Sequence, residues 1–198
     1  ALGWGKAYIP SESMTLHVKP FATTGEMVVL SPNWNSANSV FDEYLMLEYY
    51  TPTGLNAFDT TYQYRDSSPS GTTEYGIRLW HIDARLAIYS GGQFVLTTAK
   101  DPARAGGKVH TMYENTYNED EDGLNLLQLI RNKTTTTYNT VTKFRGEHLF
   151  KTGSSFNMTT YKSQFKNSTK LNDNSTLGYS FTVDSLNSEY ATITITKA

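Results

Sequence analysis

Cysteine is absent from the chain. That one absence removes a disulfide-stapled scaffold, a thiolate-ligated zinc and a thiol nucleophile together. Apolar runs near the ~18 residues of a membrane span are missing too, and no signal-peptide charge pattern marks the start, so no membrane contact is expected. A basic stripe is also lacking: formal net charge is −2, and Lys and Arg are scattered, which argues against a nucleic-acid partner. The local series Lys162, Lys166, Lys170 reads as one solvated face.

Catalytic patterns are equally scarce. The four histidines are His17, His81, His110 and His148, and no two stand four apart. The H-E-x-x-H metal helix of a zinc peptidase is therefore not formed, and Glu147-His148 is a lone dipeptide in the wrong order. No G-x-S-x-G elbow occurs, and Gly153-Ser154-Ser155 precedes a predicted short helix. The carboxylate pairs Asp42-Glu43 and Glu119 to Asp122 are sequence neighbours with no visible division into acid and base. Neither a catalytic residue nor a metal or cofactor ligand set is assigned in this chain.

What the chain does have is Tyr, Thr and Asn in abundance, with 13% aromatic residues, and that composition favours strands over long helices. The expectation is a single all-β domain over residues 1–198, a mostly antiparallel β-sandwich with one short helix. At this length about 70% of the unfolded surface can be buried, enough for a core without staples. Leu2 to Ile9 reads as a connecting segment that Pro10 and Ser11 end. Met14, Leu16 and Val18 alternate with polar residues as a half-buried strand, and His17 falls on the polar side. A second short strand spans Glu26 to Leu30, before a polar loop with an exposed-looking Trp34.

Two stretches are apolar on both faces. Phe41 to Tyr50 carries Leu45, Leu47 and Tyr49 on one side and Tyr44, Met46 and Tyr50 on the other. Tyr75 to Leu86 carries Ile77, Leu79 and His81 against Arg78, Trp80 and Ile82. Both predict central strands covered above and below, with Trp80 as a core anchor. Between them, Asn56 to Thr73 predicts a long polar loop. Arg85 to Tyr89 and Gln93 to Thr97 predict a hairpin around Ser90-Gly91-Gly92. Lys100 to Lys108 is a basic loop, Leu124 to Arg131 an apolar strand and Thr134 to Thr137 an edge or loop. Met158, Tyr161 and Phe165 suggest the helix, with Ser154 or Ser155 as N-cap. Leu177 to Val183 and Ala191 to Ile195 close the chain as paired strands.

Two constellations carry a chemical reading. His81 and Asp83 project from one strand face about 7 Å apart, suited either to a shared metal or to a structural His held by a carboxylate or backbone carbonyl; the structural reading is favoured because no further His or Cys completes a zinc set. Asn118, Asp120, Asp122 and Gly123 match positions 1, 3, 5 and 6 of a calcium loop, but Leu129 stands where the bidentate Glu belongs, so a solvated hairpin tip is favoured over Ca²⁺. The sequons at Asn132, Asn157, Asn167 and Asn174 bear on function only in a glycosylating pathway.

Three segments, LGWGKAYI at the start, FDEYLMLEYYTPTGLN from Phe41 to Asn56 and YGIRLWHIDARL from Tyr75 to Leu86, together with GSSFNMTTYKSQF, LGYSFTV and ATITITK, resemble the region that follows the catalytic domain in secreted bacterial zinc metalloproteases of the immune inhibitor A type. The resemblance implies a non-enzymatic accessory domain, extracellular or at the cell surface. Its partner would be an upstream catalytic domain of the same polypeptide, which would hold the zinc and whose substrate cleft this domain would help to shape. The competing reading is a stand-alone binding module for glycans or cell-wall polymer, with Trp34, Tyr62 and Tyr64 stacking on sugar rings.

Overall fold

The computed structural model describes residues 5–32, 34, 41–62, 71–90, 93–96, 109–111, 125–140 and 142–198. Strand-forming alternation yields two main sheets. In the mixed sheet, β1 (Lys6–Tyr8), β3 (Glu26–Leu30), β4 (Glu43–Tyr50), β5 (Gly76–Asp83) and β9 (Leu127–Ile130) lie side by side in that order. Only β1 runs parallel to its neighbour, pairing Lys6 with Glu26. The antiparallel sheet has the order β10 (Ser155–Phe156), β11 (Tyr179–Leu186), β12 (Ala191–Lys197) and β2 (Met14–Val18). A small third sheet joins β6 (Leu86–Ser90) to β7 (Gln93–Leu96) and β8 (Val109–Thr111). Helices are short: α1 (Phe21–Thr24) and α2 (Asn56–Thr61). The fold is thus mostly β and sandwich-like.

The core lies between the main sheets. Val28, Leu45, Leu47, Tyr49, Ile77 and Leu79 from one face meet Phe181, Val183, Ile193 and Ile195 from the other, all buried. Phe150, Phe156 and Phe181 fill one end, with Phe156 stacked on Phe181 at 5.5 Å between centroids.

Several expectations are corrected. Trp80 is half-buried and lies away from the inter-sheet core, in a smaller cluster on the outer face of the mixed sheet with Val29, Tyr44 and Ile82. Period two forces this, because Leu79 faces the second sheet and its neighbour must point outward. Trp34 is half-buried in the same cluster, edge-on to Tyr44 at 5.3 Å. The contrast between an anchoring Trp80 and an idle Trp34 is accordingly lost. We expect Leu47→Ala, at a fully buried site, to cost about 2–5 kcal/mol, and Trp80→Ala to cost less than Leu47→Ala in urea melts of the same protein.

The helix predicted around Met158 to Phe165 is not α-helical. Ser155 sits in β10, and only Lys162–Gln164 forms a 3-10 turn. Asn157 Oδ1 accepts the Thr160 N–H at 2.8 Å, so a side-chain turn competes with helix at this point. Met158, Tyr161 and Phe165 are nonetheless buried, which is why their spacing looked helical. Within Leu2 to Ile9, Lys6–Tyr8 is a paired edge strand rather than a bare connector. The predicted 56–73 loop contains α2 at its start. Gly91-Gly92, the 100–108 loop and the acidic stretch Asn118 to Gly123 lie outside the described residues.

Candidate functional site

β4 and β5 pair antiparallel with Glu43 opposite Asp83 and Leu45 opposite His81. This register gathers three buried ionisable residues at one end of the sheet: Glu43, His81 and Asp83 are at most 2% exposed. His81 does not partner Asp83. Its Nε2 lies 2.7 Å from Glu43 Oε1, and its ring lies 5.3 Å from that of Phe165. Asp83 instead accepts a two-point bond from Arg85, Nε at 2.7 Å and a terminal nitrogen at 2.8 Å, plus Asn172 Nδ2 at 3.0 Å. Glu43 also accepts two backbone N–H groups, Asn172 at 2.6 Å and Asp173 at 2.8 Å.

This cluster ties the loop before β11 to the mixed sheet. Each carboxylate oxygen of Glu43 and Asp83 has a donor, so the charges are compensated by short, charge-assisted bonds. Among the described residues no group of three His, Asp or Glu is arranged to hold a metal ion. Such a site rigidifies; it has no solvent-facing oxygen to offer a substrate.

Asp42, beside it, is different. Its Oδ1 accepts the Glu43 N–H at 2.8 Å, but its buried Oδ2 has no hydrogen-bond partner among the described residues. Burial pushes the carboxyl above its ordinary 3.8, and the Asp173 and Glu43 charges add to the rise against the opposing Glu43 N–H bond and Arg85 charge. An acid whose folded value is raised favours the native state while protonated and loses that advantage as pH climbs through the folded value. Asp42→Asn should therefore raise the urea midpoint at pH 7 relative to the parent and leave it nearly unchanged at pH 3.

The remaining candidates are scattered. His17 is exposed, edge-on to Tyr190 at 4.7 Å. His148 is buried, and its Nδ1 accepts the Arg145 N–H at 3.1 Å; burial, then the Arg131 charge, lowers its pKa and favours the neutral ring. The side chain of His110 and the residues Glu119 to Asp122 lie outside the described set. Ser154 Oγ accepts the Lys151 N–H at 2.9 Å in a turn, with no histidine among its bonding partners.

Sequence reasoning missed two features. Glu48 and Arg78, directly opposite on β4 and β5, form an ion pair on the outer face, and Trp80 Nε1 donates to the same Glu48 oxygen at 2.8 Å. Arg78 also lies over the rings of Tyr50 at 4.8 Å and Trp80 at 5.1 Å. A charge inside an otherwise apolar strand was the available signal. The second feature is a stripe on α2: Leu55, Phe58 and Tyr62 are 79%, 64% and 62% exposed, and the two rings stack at 5.8 Å. Their spacing of three and four residues places them on one helix face. Comparison of the chain with protein-family models, with curated proteins and with solved structures returned no match.

Proposed function

We propose that this chain is the non-catalytic accessory domain of a secreted metalloprotease and that its α2 stripe packs against the catalytic domain. The observation that carries the reading is the position of that stripe. Apolar side chains this exposed and this close together represent association energy, at about 25 cal/mol per Å² of apolar surface covered. The stripe also lies close to the point where the chain reaches its first strand. Lys6 N–H bonds Gly25 O at 2.9 Å, Gly25 caps α1, and α1 packs on the turn that opens α2: a Cβ built on Gly54 would lie 2.9 Å from Thr23 Cγ2 and 3.0 Å from Ala22 O. A domain joined ahead of β1 would thus adjoin Leu55 and Phe58. The motif resemblance of Phe41 to Asn56 ends at this same turn.

The test has two parts. The reading frame upstream should encode H-E-x-x-H, and adding the separately expressed catalytic portion should slow amide exchange across Thr51 to Thr61. The double change Leu55→Asp, Phe58→Asp should weaken that association at least tenfold with the melting temperature of this domain unchanged. An upstream frame without the metal motif, or protection of α2 by polysaccharide alone, would transfer the chain to the glycan-module reading.

A further inference from the structure

We infer that the free edge of β2 takes up an extended peptide from another protein as a fifth strand of the antiparallel sheet. The mixed sheet has five strands and the antiparallel sheet four, so one strand of the wider sheet has nothing opposite it. β2 meets β3 across the core, where Leu16 and Val18 join Val28 and Leu30 in one buried cluster. Just past β2, the Lys19 N–H donates to Glu26 Oε2 in β3 at 3.0 Å, which fixes that overlay. β1 lies one place further out than β3. Its Lys6 and Ala7 are exposed, and Tyr8 is only half-buried although it stands beside Val28 on the core side. Among the described residues, the position alongside β2 and over β1 is therefore open.

A peptide strand is what this position can hold. β2 pairs with β12 without a slip from Met14 to Val18, and among the described residues no other backbone hydrogen bond reaches it. Such an edge presents N–H and C=O groups in a series that another extended backbone can match. Natural edges are commonly guarded by proline, lysine, an inward-pointing charge or a bulge. MTLHV has neither proline nor lysine, its core-side residues Met14, Leu16 and Val18 are apolar, and the register slip of this sheet falls between β11 and β12. Side chains set the pattern an incoming strand must carry. Met14, 40% exposed, lies on the same side of β2 as Leu16 and Val18, and the Tyr8 ring forms the floor. Every second residue of the peptide must accordingly be apolar. The others face outward beside Thr15 and His17, whose side chains already pair with Thr194 and Thr192 and ask nothing of a ligand. A second copy of this domain does not fit in the same way. If two β2 edges paired, β1 of each copy would run into the mixed sheet of the other, so the overhang admits a lone strand and rejects a second sandwich.

The experiment is an NMR titration of the whole chain with a capped peptide in which valine alternates with threonine between terminal glutamates. Expected are amide shifts confined to residues 6–9 and 13–18, with slowed exchange of β2 amides that are open in the free protein. Two further peptides carry N-methyl groups, one on the valines and one on the threonines. Because successive N–H groups of a strand point to opposite edges, one of these peptides should lose binding and the other keep it. Met14→Lys places an inward-pointing charge on the edge and should weaken binding at least about tenfold, while Met14→Leu leaves it unchanged. If Met14→Lys fails to fold, the N-methylated pair still decides. No shift at millimolar peptide, an equal response to the two N-methylated peptides, indifference of a folded Met14→Lys variant, or dimerisation of the parent chain through β2 would each overturn the inference. None of these outcomes bears on the α2 face, so this inference and the accessory-domain reading fail separately.

Discussion

Glu43→Gln is expected to lower stability by about 3–5 kcal/mol, close to the effect of Glu43→Ala, although glutamine matches glutamate in shape. The reason is donor arithmetic. Both carboxylate oxygens of Glu43 accept backbone N–H groups from the loop before β11, and Oε1 also meets His81. A glutamine has one oxygen and one NH₂, so whichever way it turns, an amide donor must face another donor. The loss also takes one of two negative charges away from Arg85, which is half-buried and pairs with both Glu43 and Asp83. Urea melts at pH 7 provide the measurement, and His81→Ala serves as the comparison because it removes one contact and leaves both loop bonds in place. If Glu43→Gln cost under about 1 kcal/mol, comparable to an exposed ion pair, the cluster would not be holding the two sheets' connections together.

Phe150→Ala should cost about 3–5 kcal/mol, the range for truncating a buried aromatic residue. Phe150 is fully buried, with ring centroids of Phe181 at 5.3 Å, Tyr161 at 5.4 Å and Phe156 at 6.3 Å. Its backbone is fixed independently: Ile77 N–H to Phe150 O and Phe150 N–H to Ile77 O are both 2.9 Å. The surrounding groups therefore cannot collapse far into the space that the ring vacates, and incomplete collapse is what places a truncation at the upper end of its range. Phe150→Leu, which retains most of the volume, should recover more than half of the loss. Equal melting of the two variants would show that the aromatic contacts, rather than the cavity, dominate at this position.

The part of the fold legible in sequence was the part set by neighbours along the chain. Leu45, Leu47 and Tyr49, or Phe181 and Val183, alternate with a period of two, and alternation alone predicts a strand with a buried face. Where both faces are apolar the rule loses its discrimination. Trp80 and Leu79 are both hydrophobic, and no local rule says which of them meets the second sheet. The 158–165 segment misled for the opposite reason, since core-facing residues at spacings of three and four arise in successive turns as readily as in a helix, and the Asn157 side chain closes the first of those turns.

The candidate sites divide along the same line. That Glu43, Glu48, Arg78, His81 and Asp83 interrupt apolar strands was visible in the sequence, and burial of such groups demands partners wherever they fall. Who the partners are was not visible. Glu43 finds Asn172 at a separation of 129 residues and Asp173 at 130, and His81 turns to Glu43 instead of Asp83, because strand register and the course of a distant loop set those distances. Composition and alternation by themselves determined that this chain makes strands and a cysteine-free core, since these depend on residue type and local period. Tertiary structure alone decided which charges meet and which aromatics are covered, because those depend on contacts between residues that no short-range pattern relates.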